Sequence, residues 1–233
     1  MAASTARART TPIGTKRVAL LAGATGLIGR ALLPMLLASD RHTAVHLLLR
    51  RAVPGIASNP KLNVHTVDFA HLPAPFPEVD DVFIALGTTI KVAGSEAAFR
   101  QVDFDYVVNT ARAARAAGAT RLAVVSALGA DAHSRVFYNH VKGEMQAAIA
   151  ALGYDSVVIA QPSLLMGDRA ALGQPVRSGE VWATRLLGPI MGLVPKSVRP
   201  IAAADVASAM LAANVAGAAG LSILSSTQMQ PGP

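Results

Sequence analysis

The hydrophobic positions of this chain fall into short, continuous apolar runs that alternate with longer segments of helical periodicity. Runs rich in Val, Leu and Ala predict six buried strands in the first 165 residues, at 17–23, 44–50, 62–69, 81–89, 121–129 and 155–165. Apolar residues at helical spacing predict helices at 27–39, 97–118 and 135–152. This alternation predicts right-handed βαβ units, and therefore an α/β fold with a Rossmann-like doubly wound parallel sheet.

The regular alternation ends near residue 167. Residues 167–200 contain Gly and Pro at short intervals and one predicted helix near 180–187, and they are followed by a helix at 202–214 and a last strand at 221–226. We therefore expect a disordered N-terminal tail (1–16) and a single domain (17–233). Within that domain, 167–200 is expected to form a small substrate cap over the C-terminal edge of the sheet, where doubly wound folds bind ligands.

The composition excludes several classes of protein. The chain has no cysteine, which rules out disulfides, thiolate metal sites and a cysteine nucleophile, and fits the cytoplasmic location that we expect. The six histidines show no metal-ligand spacing with nearby carboxylates, so no metal site is predicted. The longest apolar stretch, 209–224, is shorter than the ~20 residues of a membrane span and contains Asn214, so no membrane association is predicted.

The positive charge of the chain is confined to its first part. Residues 1–67 hold nine Lys and Arg against one acid, Asp40, whereas the remainder holds twelve against thirteen acids. Because no basic stripe is interleaved with aromatic residues, we expect no nucleic-acid partner. The acid-free stretch 1–16 is similar to an organelle transit peptide, but a disordered tail is the simpler interpretation.

The sequence "GATGLIG" places three glycines three apart between the first strand and the first helix. A chain that turns sharply beside a pyrophosphate needs residues without obstructing side chains, and the helix N-terminus offers free N–H groups to the phosphates. The spacing G-x-x-G-x-x-G in this strand–turn–helix context predicts a dinucleotide-binding loop. The residues of this predicted loop are Gly23, Thr25, Gly26, Leu27, Ile28 and Gly29.

The end of the second strand indicates which dinucleotide is bound. An NAD-selective site usually has an acidic residue there for the ribose 2′-hydroxyl. This chain instead has Arg50 and Arg51, with no acid before Asp68. Two guanidinium groups suit a 2′-phosphate, so NADP(H) is the expected cofactor and NAD(H) the less favoured one, although a pair of solvated surface arginines is the alternative.

The candidate catalytic residues are Ser126, Tyr138 and Lys142. Ser126 lies near the end of the fifth strand, and Tyr138 and Lys142 are four apart on the following helix, where they share a face. An ammonium group beside a phenol stabilises the phenolate and makes the phenol a stronger acid.

A Ser after the fifth strand with Tyr-x-x-x-Lys on the next helix resembles the catalytic arrangement of the short-chain dehydrogenase/reductase superfamily. This resemblance implies that Ser126 hydrogen-bonds a carbonyl oxygen of the substrate and that Tyr138 transfers the proton. "GATGLIG", "LLLRR", "ALGTT", "VSALGA", "FYNHVKGEM" and "QPSLLMGDR" together resemble its atypical branch that contains the Tat-interacting-protein oxidoreductases, over residues 17–214. The resemblance implies that Lys142 also holds the nicotinamide ribose, and that further residues lie along the adenine, the ribose and the nicotinamide. These further residues are Asp68, Phe69, Leu86, Gly87, Thr88, Thr89, Pro162, Leu164 and Leu165.

One position departs from the superfamily pattern, because Asp103 stands where a structural or proton-relay Asn is often found. We assign Asp103 no catalytic role from the sequence. The expected function is an NADP(H)-dependent oxidoreductase for a small carbonyl or alcohol, and the alternative is a redox-sensing regulator that binds NADP(H) with little or no catalysis. The oligomeric state stays open, with a homodimer as one candidate, because the fourth and fifth helices often form dimer faces in this superfamily.

Overall fold

The computed structural model describes residues 16–56, 58–166, 195 and 197–231, and a parallel sheet lies at its centre. The sheet strands are β1 (Arg17–Ala22), β2 (His42–Leu49), β3 (Leu62–Thr66), β4 (Asp81–Ile84), β5 (Arg121–Val125), β6 (Ser156–Gln161) and β9 (Gly220–Ser225). Their order across the seven-stranded sheet is β3-β2-β1-β4-β5-β6-β9, and all neighbours are parallel. The predicted doubly wound α/β fold is therefore confirmed.

The helices connect successive strands. They are α1 (Leu27–Ala38), the short α2 (Ile90–Ala93) and α3 (Glu96–Arg100), α4 (Tyr106–Ala116), α5 (Phe137–Ala150), α6 (Ala203–Ala216) and the short α7 (Ser226–Met229). The single helix predicted at 97–118 is instead α3 followed by a π-helical turn, Gln101–Asp105, and then α4. A π-helical turn is a single turn inside an otherwise continuous helix, so the apolar pattern of this segment predicts one helix and does not show the turn.

Two hydrophobic clusters cover the two faces of the sheet. Alternate residues of β1 point to opposite faces, so that Leu21 packs with α1 and α6 while Leu20 packs with α4 and α5. Both side chains are fully buried, as is Phe83 of β4. Burial on both faces explains why the strands read as continuous apolar runs in the sequence rather than as alternating ones.

Four of the strands end several residues earlier than predicted. β3 ends at Thr66 and β6 at Gln161, whereas the predicted strands run to residues 69 and 165. β4 ends at Ile84 and β5 at Val125, whereas the apolar runs continue to residues 89 and 129. The residues that follow leave the sheet at its carboxyl edge, where β4 has no further neighbour to pair with beyond Ala22 and Val124. These loops, together with those after β1 and β6, meet at one edge of the sheet.

The predicted cap lies almost wholly outside the described residues, as do the helix expected near 180–187 and the tail before residue 16. The two flanks of the cap segment are described: Leu165–Met166 (β7) pairs in parallel with Ile201–Ala202 (β8). The domain boundaries and the cap therefore stay predictions. Among the described residues, no helix combines the length and the apolar character that crossing a membrane requires.

Candidate functional site

A cleft opens at the carboxyl edge of the sheet, between the ends of β1, β4, β5 and β6. Its walls are the loop before α1, the loop after β4, the residues that follow β5 and β6, and the first turns of α5. Twelve of the residues proposed from the sequence line this cleft: Gly26, Leu27, Ile28, Leu86, Gly87, Thr88, Thr89, Ser126, Tyr138, Lys142, Pro162 and Leu165. Segments that are far apart in the chain thus converge on one cleft.

The three glycines of the loop differ in whether the fold leaves room for a side chain at their positions. Gly23 has a φ of +96°, and a Cβ there would lie 2.4 Å from the carbonyl oxygen of Ala85. A Cβ on Gly29 would lie 2.1 Å from the carbonyl oxygen of Gly23. At Gly26 the nearest protein atom would be 3.5 Å away, an ordinary contact. Gly23 and Gly29 are therefore required by the fold, whereas Gly26 faces open space in the cleft.

The N-terminus of α1 can accept an anion. Gly26 is the N-cap residue, no side chain caps the helix, and its first turn contains no acidic residue. The first amide groups of an α-helix have no intrahelical acceptor, and they carry a partial positive charge. An open glycine before an uncapped helix suits the pyrophosphate of a dinucleotide.

Lys142 is buried and forms an ion pair with Asp103. The Nζ of Lys142 lies 2.7 Å from Oδ1 of Asp103, and the two side chains are 4% and 1% exposed. The other carboxylate oxygen, Oδ2, accepts a hydrogen bond of 2.8 Å from the backbone N–H of Thr88. Asp103 therefore joins the lysine of α5 to the loop after β4, which also lines the cleft.

Ser126 and Tyr138 approach the cleft from different elements. Ser126 follows β5 directly, and its N–H donates to the carbonyl oxygen of Ala160 at 2.7 Å, which fixes the backbone beside β6. Its side chain is nearly buried, and its Oγ accepts a hydrogen bond of 2.6 Å from Nε2 of Gln146. Tyr138 lies in the first turn of α5, and its ring packs at 5.2 Å between centroids against the buried Phe99.

Other residues proposed for the cofactor lie outside the cleft. Arg50 and Arg51 follow β2, are exposed, and have no ion-pair partner among the described residues. Asp68 is exposed, and hydrogen bonds from the His71 imidazole and from the N–H of Ala70 lower the pKa of its carboxyl group. Thr25 is also exposed, next to the glycine loop.

Two of the residues proposed for the cofactor, Phe69 and Leu164, do not line the cleft. The side chain of Phe69 is 3% exposed and packs against Tyr106 in the core, so only its backbone is available to a ligand. Leu164 is not part of the cleft wall, and its carbonyl oxygen accepts from the N–H of Ile201 at 2.9 Å. Leu164 therefore connects β6 to β8 rather than facing the cleft.

Sequence reasoning missed the roles of Asp103 and Gln146. The role of Asp103 is recognisable only in the structure, because its partner Lys142 lies on another helix, 39 residues further along the chain. Gln146 had a usable signal, since it lies four residues after Lys142 and eight after Tyr138 on the same helix face. Within the described residues there is no group of three or more His, Asp or Glu side chains that could hold a metal ion.

Comparison with known families and proteins identifies the family of this chain. The model of an NAD(P)H-binding family matches residues 23–166. The chain is 36% identical over 173 residues to Protein HTATIP2 of Rattus norvegicus, an alignment that covers 72% of this chain and 69% of that protein. It is 34% identical over 151 residues to Protein FMP52, mitochondrial, of Eremothecium gossypii, covering 65% of this chain and 67% of that protein. The resemblance to the Tat-interacting-protein branch is confirmed.

Solved structures share the fold at low sequence identity. MoeE5 in complex with UDP-glucose and NAD superposes with a TM-score of 0.65 at 16% identity, over 88% of this chain and 74% of that one. The Bordetella bronchiseptica enzyme WbmG in complex with NAD gives a TM-score of 0.65 at 17% identity, over 92% and 74%. The reductase domain of PhqB from Penicillium fellutanum gives 0.63 at 16% identity, over 93% and 68%.

The predicted cytoplasmic location is wrong by the same comparisons. Relatives from Eremothecium gossypii, Emericella nidulans and Candida glabrata, at 33–34% identity, are named as mitochondrial proteins. The prediction relied on the absence of cysteine. That absence shows only that the chain forms no disulfides, and a protein without disulfides is compatible with more than one compartment.

Proposed function

Because this chain belongs to the NAD(P)H-binding family whose model matches residues 23–166, we propose that it is an NADP(H)-dependent oxidoreductase acting on a small carbonyl or alcohol. The observation that carries the proposal is the cleft itself. One wall is formed by Gly26 and the N-terminus of α1, and another by Ser126, Tyr138 and Lys142. A dinucleotide-binding loop and a candidate proton donor thus share one cavity.

Each side chain has a task in the proposed reaction. The bound cofactor supplies a hydride donor or acceptor. Ser126 donates a hydrogen bond to the carbonyl oxygen of the substrate, and the hydroxyl of Tyr138 gives that oxygen a proton during reduction, or removes it during oxidation. Lys142, whose Nζ lies 2.7 Å from Oδ1 of Asp103, would hold the ribose of the cofactor with its remaining N–H groups.

The first prediction concerns the proton donor. Tyr138→Phe removes only the phenolic hydroxyl, so we expect turnover to fall by ~10²–10⁴-fold, the usual contribution of general acid–base catalysis, with the affinity for NADPH unchanged. Turnover is followed by NADPH absorbance with a panel of small aldehydes and ketones, and affinity by NADPH fluorescence. Tyr106→Phe, which removes a phenolic hydroxyl outside the cleft, is the matched control.

The same experiment distinguishes an oxidoreductase from a redox-sensing regulator, the two functions that the sequence left open. A regulator that binds NADP(H) without chemistry would bind the cofactor tightly, and the wild-type protein would turn over no member of the panel. Full activity of Tyr138→Phe would remove the catalytic assignment while leaving cofactor binding intact.

The second prediction concerns the choice of cofactor. Arg50 and Arg51 are exposed at the end of β2, the strand that precedes the adenosine side of such sites. An arginine binds a phosphate through two parallel hydrogen bonds, and one such contact favours NADPH over NADH by roughly 10-fold or more at low salt. Arg50→Ala and Arg51→Ala are expected to reduce this preference and to spare NADH binding.

The dissociation constants of NADPH and NADH, measured by fluorescence at low and high salt, test this preference. The preference is expected to shrink as salt rises, because exposed charges are screened. Arg112→Ala, which removes an exposed arginine on α4, is the control and should change neither constant. Equal constants for the two cofactors in the wild-type protein would contradict the role of these arginines.

A further inference from the structure

Behind Ser126 lies a short chain of hydrogen-bonded side chains that leads away from the cleft. Nε2 of Gln146 donates to Oγ of Ser126 at 2.6 Å, and Nε2 of Gln161 donates to Oε1 of Gln146 at 3.1 Å. Gln146 lies on α5, one turn beyond Lys142, and Gln161 is the last residue of β6. The two amides therefore link the helix that carries Tyr138 to the strand beside Ser126.

The direction of these hydrogen bonds decides where the proton of Ser126 points. A serine hydroxyl has one proton to donate and two lone pairs that accept. Because the amide of Gln146 donates to the oxygen, the hydroxyl proton is directed away from Gln146. Among the described residues no acceptor takes that proton, and Ser126 lines the cleft. The proton is then available to a carbonyl oxygen in the cleft.

We propose that Gln146 is a positioning residue that makes Ser126 a hydrogen-bond donor toward the substrate, and that Gln161 fixes the orientation of the Gln146 amide. This inference rests on the proposed oxidoreductase function. A hydroxyl held in one orientation before the substrate binds costs no reorientation as charge develops on the carbonyl oxygen. Gln146 itself is not among the residues that line the cleft, so its action passes through Ser126.

The orientation of the Gln146 and Gln161 side-chain amides determines whether Ser126 can donate its proton to the substrate. If both amides were reversed, Ser126 would donate its proton to Oε1 of Gln146, and that proton would not be available to the substrate. A carboxylate at position 146 imitates this reversed state, because it can only accept hydrogen bonds. Glutamate is nearly isosteric with glutamine, so Gln146→Glu changes the direction of the hydrogen bond with little change in shape.

The test compares Gln146→Glu, Gln146→Met and Ser126→Ala with the wild-type protein, using NADPH and the best carbonyl compound of the panel described above. At neutral pH, Ser126→Ala and Gln146→Glu are each expected to lower kcat by ~10²–10³-fold, as loss of one oxyanion donor does. Gln146→Met leaves the hydroxyl free to rotate, so a smaller loss of roughly 2- to 10-fold is expected. NADPH affinity should stay unchanged in all three.

The pH profile gives a readout that a purely structural role would not change. A protonated glutamate is a donor again, and its O–H would replace the N–H of the native amide. The activity of Gln146→Glu relative to wild type should therefore rise as pH falls from about 8 through the range in which the introduced carboxyl group becomes protonated. The ratio for Gln146→Met should stay constant, and so should that for the exposed control Gln101→Glu.

The outcomes distinguish the positioning role of Gln146 from the proposed oxidoreductase function. Gln146→Glu with wild-type activity at neutral pH, while Ser126→Ala is inactive, would overturn the role of Gln146 and leave the proposed function standing. Loss of NADPH binding in Gln146→Glu would show a general structural role instead and would also overturn it. Full activity of Ser126→Ala, or no turnover of the whole panel by the wild-type protein, would overturn the proposed function and this inference with it.

Discussion

At the scale of single residues, Gly26 differs from Gly23 and Gly29, the other two glycines of the loop. A side chain at Gly23 or Gly29 would collide with backbone atoms within 2.4 Å, whereas one at Gly26 would meet nothing closer than 3.5 Å. The backbone of Gly26 is extended, with φ −81° and ψ 169°, which any residue can adopt. The fold therefore tolerates a Cβ at Gly26, and under the proposed function the reason for glycine at this position is the close approach of the cofactor.

The third prediction follows from this difference. Gly26→Ala is expected to unfold at the same urea concentration as the wild-type protein but to bind NADPH roughly 10-fold or more weakly, because the methyl group displaces the phosphates from the amides of α1. Gly29→Ala is expected to lose stability, since its Cβ would lie 2.1 Å from the Gly23 carbonyl oxygen. Undiminished NADPH binding by a folded Gly26→Ala protein would mean that the loop serves only the turn.

At the scale of elements, the π-helical turn Gln101–Asp105 connects the helix layer to the site. It lies between α3 and α4 and contains Asp103, the buried partner of Lys142 on α5. The same carboxylate holds the loop after β4 through the N–H of Thr88. Three elements are thus fixed to one another by one side chain, at a type of turn that is frequent at functional sites.

The fourth prediction concerns the contribution of the Asp103–Lys142 ion pair to stability. Asp103→Asn keeps an oxygen acceptor for Thr88 but leaves the charge of Lys142 buried and unpaired. Breaking a buried ion pair in this way typically costs about 3–5 kcal/mol, so the free energy of unfolding in urea should fall by that order. The double variant Asp103→Asn/Lys142→Met has no buried charge and should recover most of the loss. Equal destabilisation of the single and double variants would contradict a charge effect.

At the scale of the whole molecule, a second buried charged group lies at the opposite edge of the sheet. Arg17, His42 and Asp81 begin β1, β2 and β4, and all three are at most 2% exposed. The guanidinium of Arg17 lies 2.7 Å from Asp81, and Nε2 of His42 lies 3.1 Å from it. Burial would raise the pKa of Asp81, but the hydrogen bonds from His42 and Arg17 outweigh it and lower that pKa.

The fifth prediction concerns the pH dependence of stability. Because the pKa of Asp81 is lower in the folded state, its stabilising contribution is complete above the unfolded value near 3.8 and is lost as pH falls through the folded value. Asp81→Asn should reduce the free energy of unfolding by about 3–5 kcal/mol near neutral pH, by leaving Arg17 unpaired. Urea unfolding between neutral pH and pH about 3 should show this difference shrinking below pH about 4.

The matched control for this cluster is Asp40→Asn, which neutralises an exposed acid in the turn before β2. It is expected to leave the free energy of unfolding nearly unchanged at every pH, because exposed charges contribute little. A pH-independent difference between Asp81→Asn and wild type would contradict the proposed electrostatic origin. Since this cluster and the cleft occupy opposite edges of the sheet, Asp81→Asn should also retain NADPH binding while folded.

The sequence by itself determined the order of the strands and helices, and with it the convergence of the loops. Continuous apolar runs and helical periodicity report local burial, and parallel connections place every strand's carboxyl end at one edge. For that reason the strand–helix pattern places Gly26 and Ser126 at one edge of the sheet, the family resemblance adds Tyr138, and all three line one cleft. The family resemblance added the remaining cofactor residues, many of which do line it.

Only the tertiary structure decided which side chains face each other. Asp103, in the π-helical turn, meets Lys142 of α5, and Phe69 enters the core although its neighbour Asp68 is exposed. Gln146 reaches Ser126 because α5 packs beside the ends of β5 and β6. Periodicity fixes which face of an element a residue lies on. Which residue of another element it contacts depends on how the elements pack, and no local pattern contains that information.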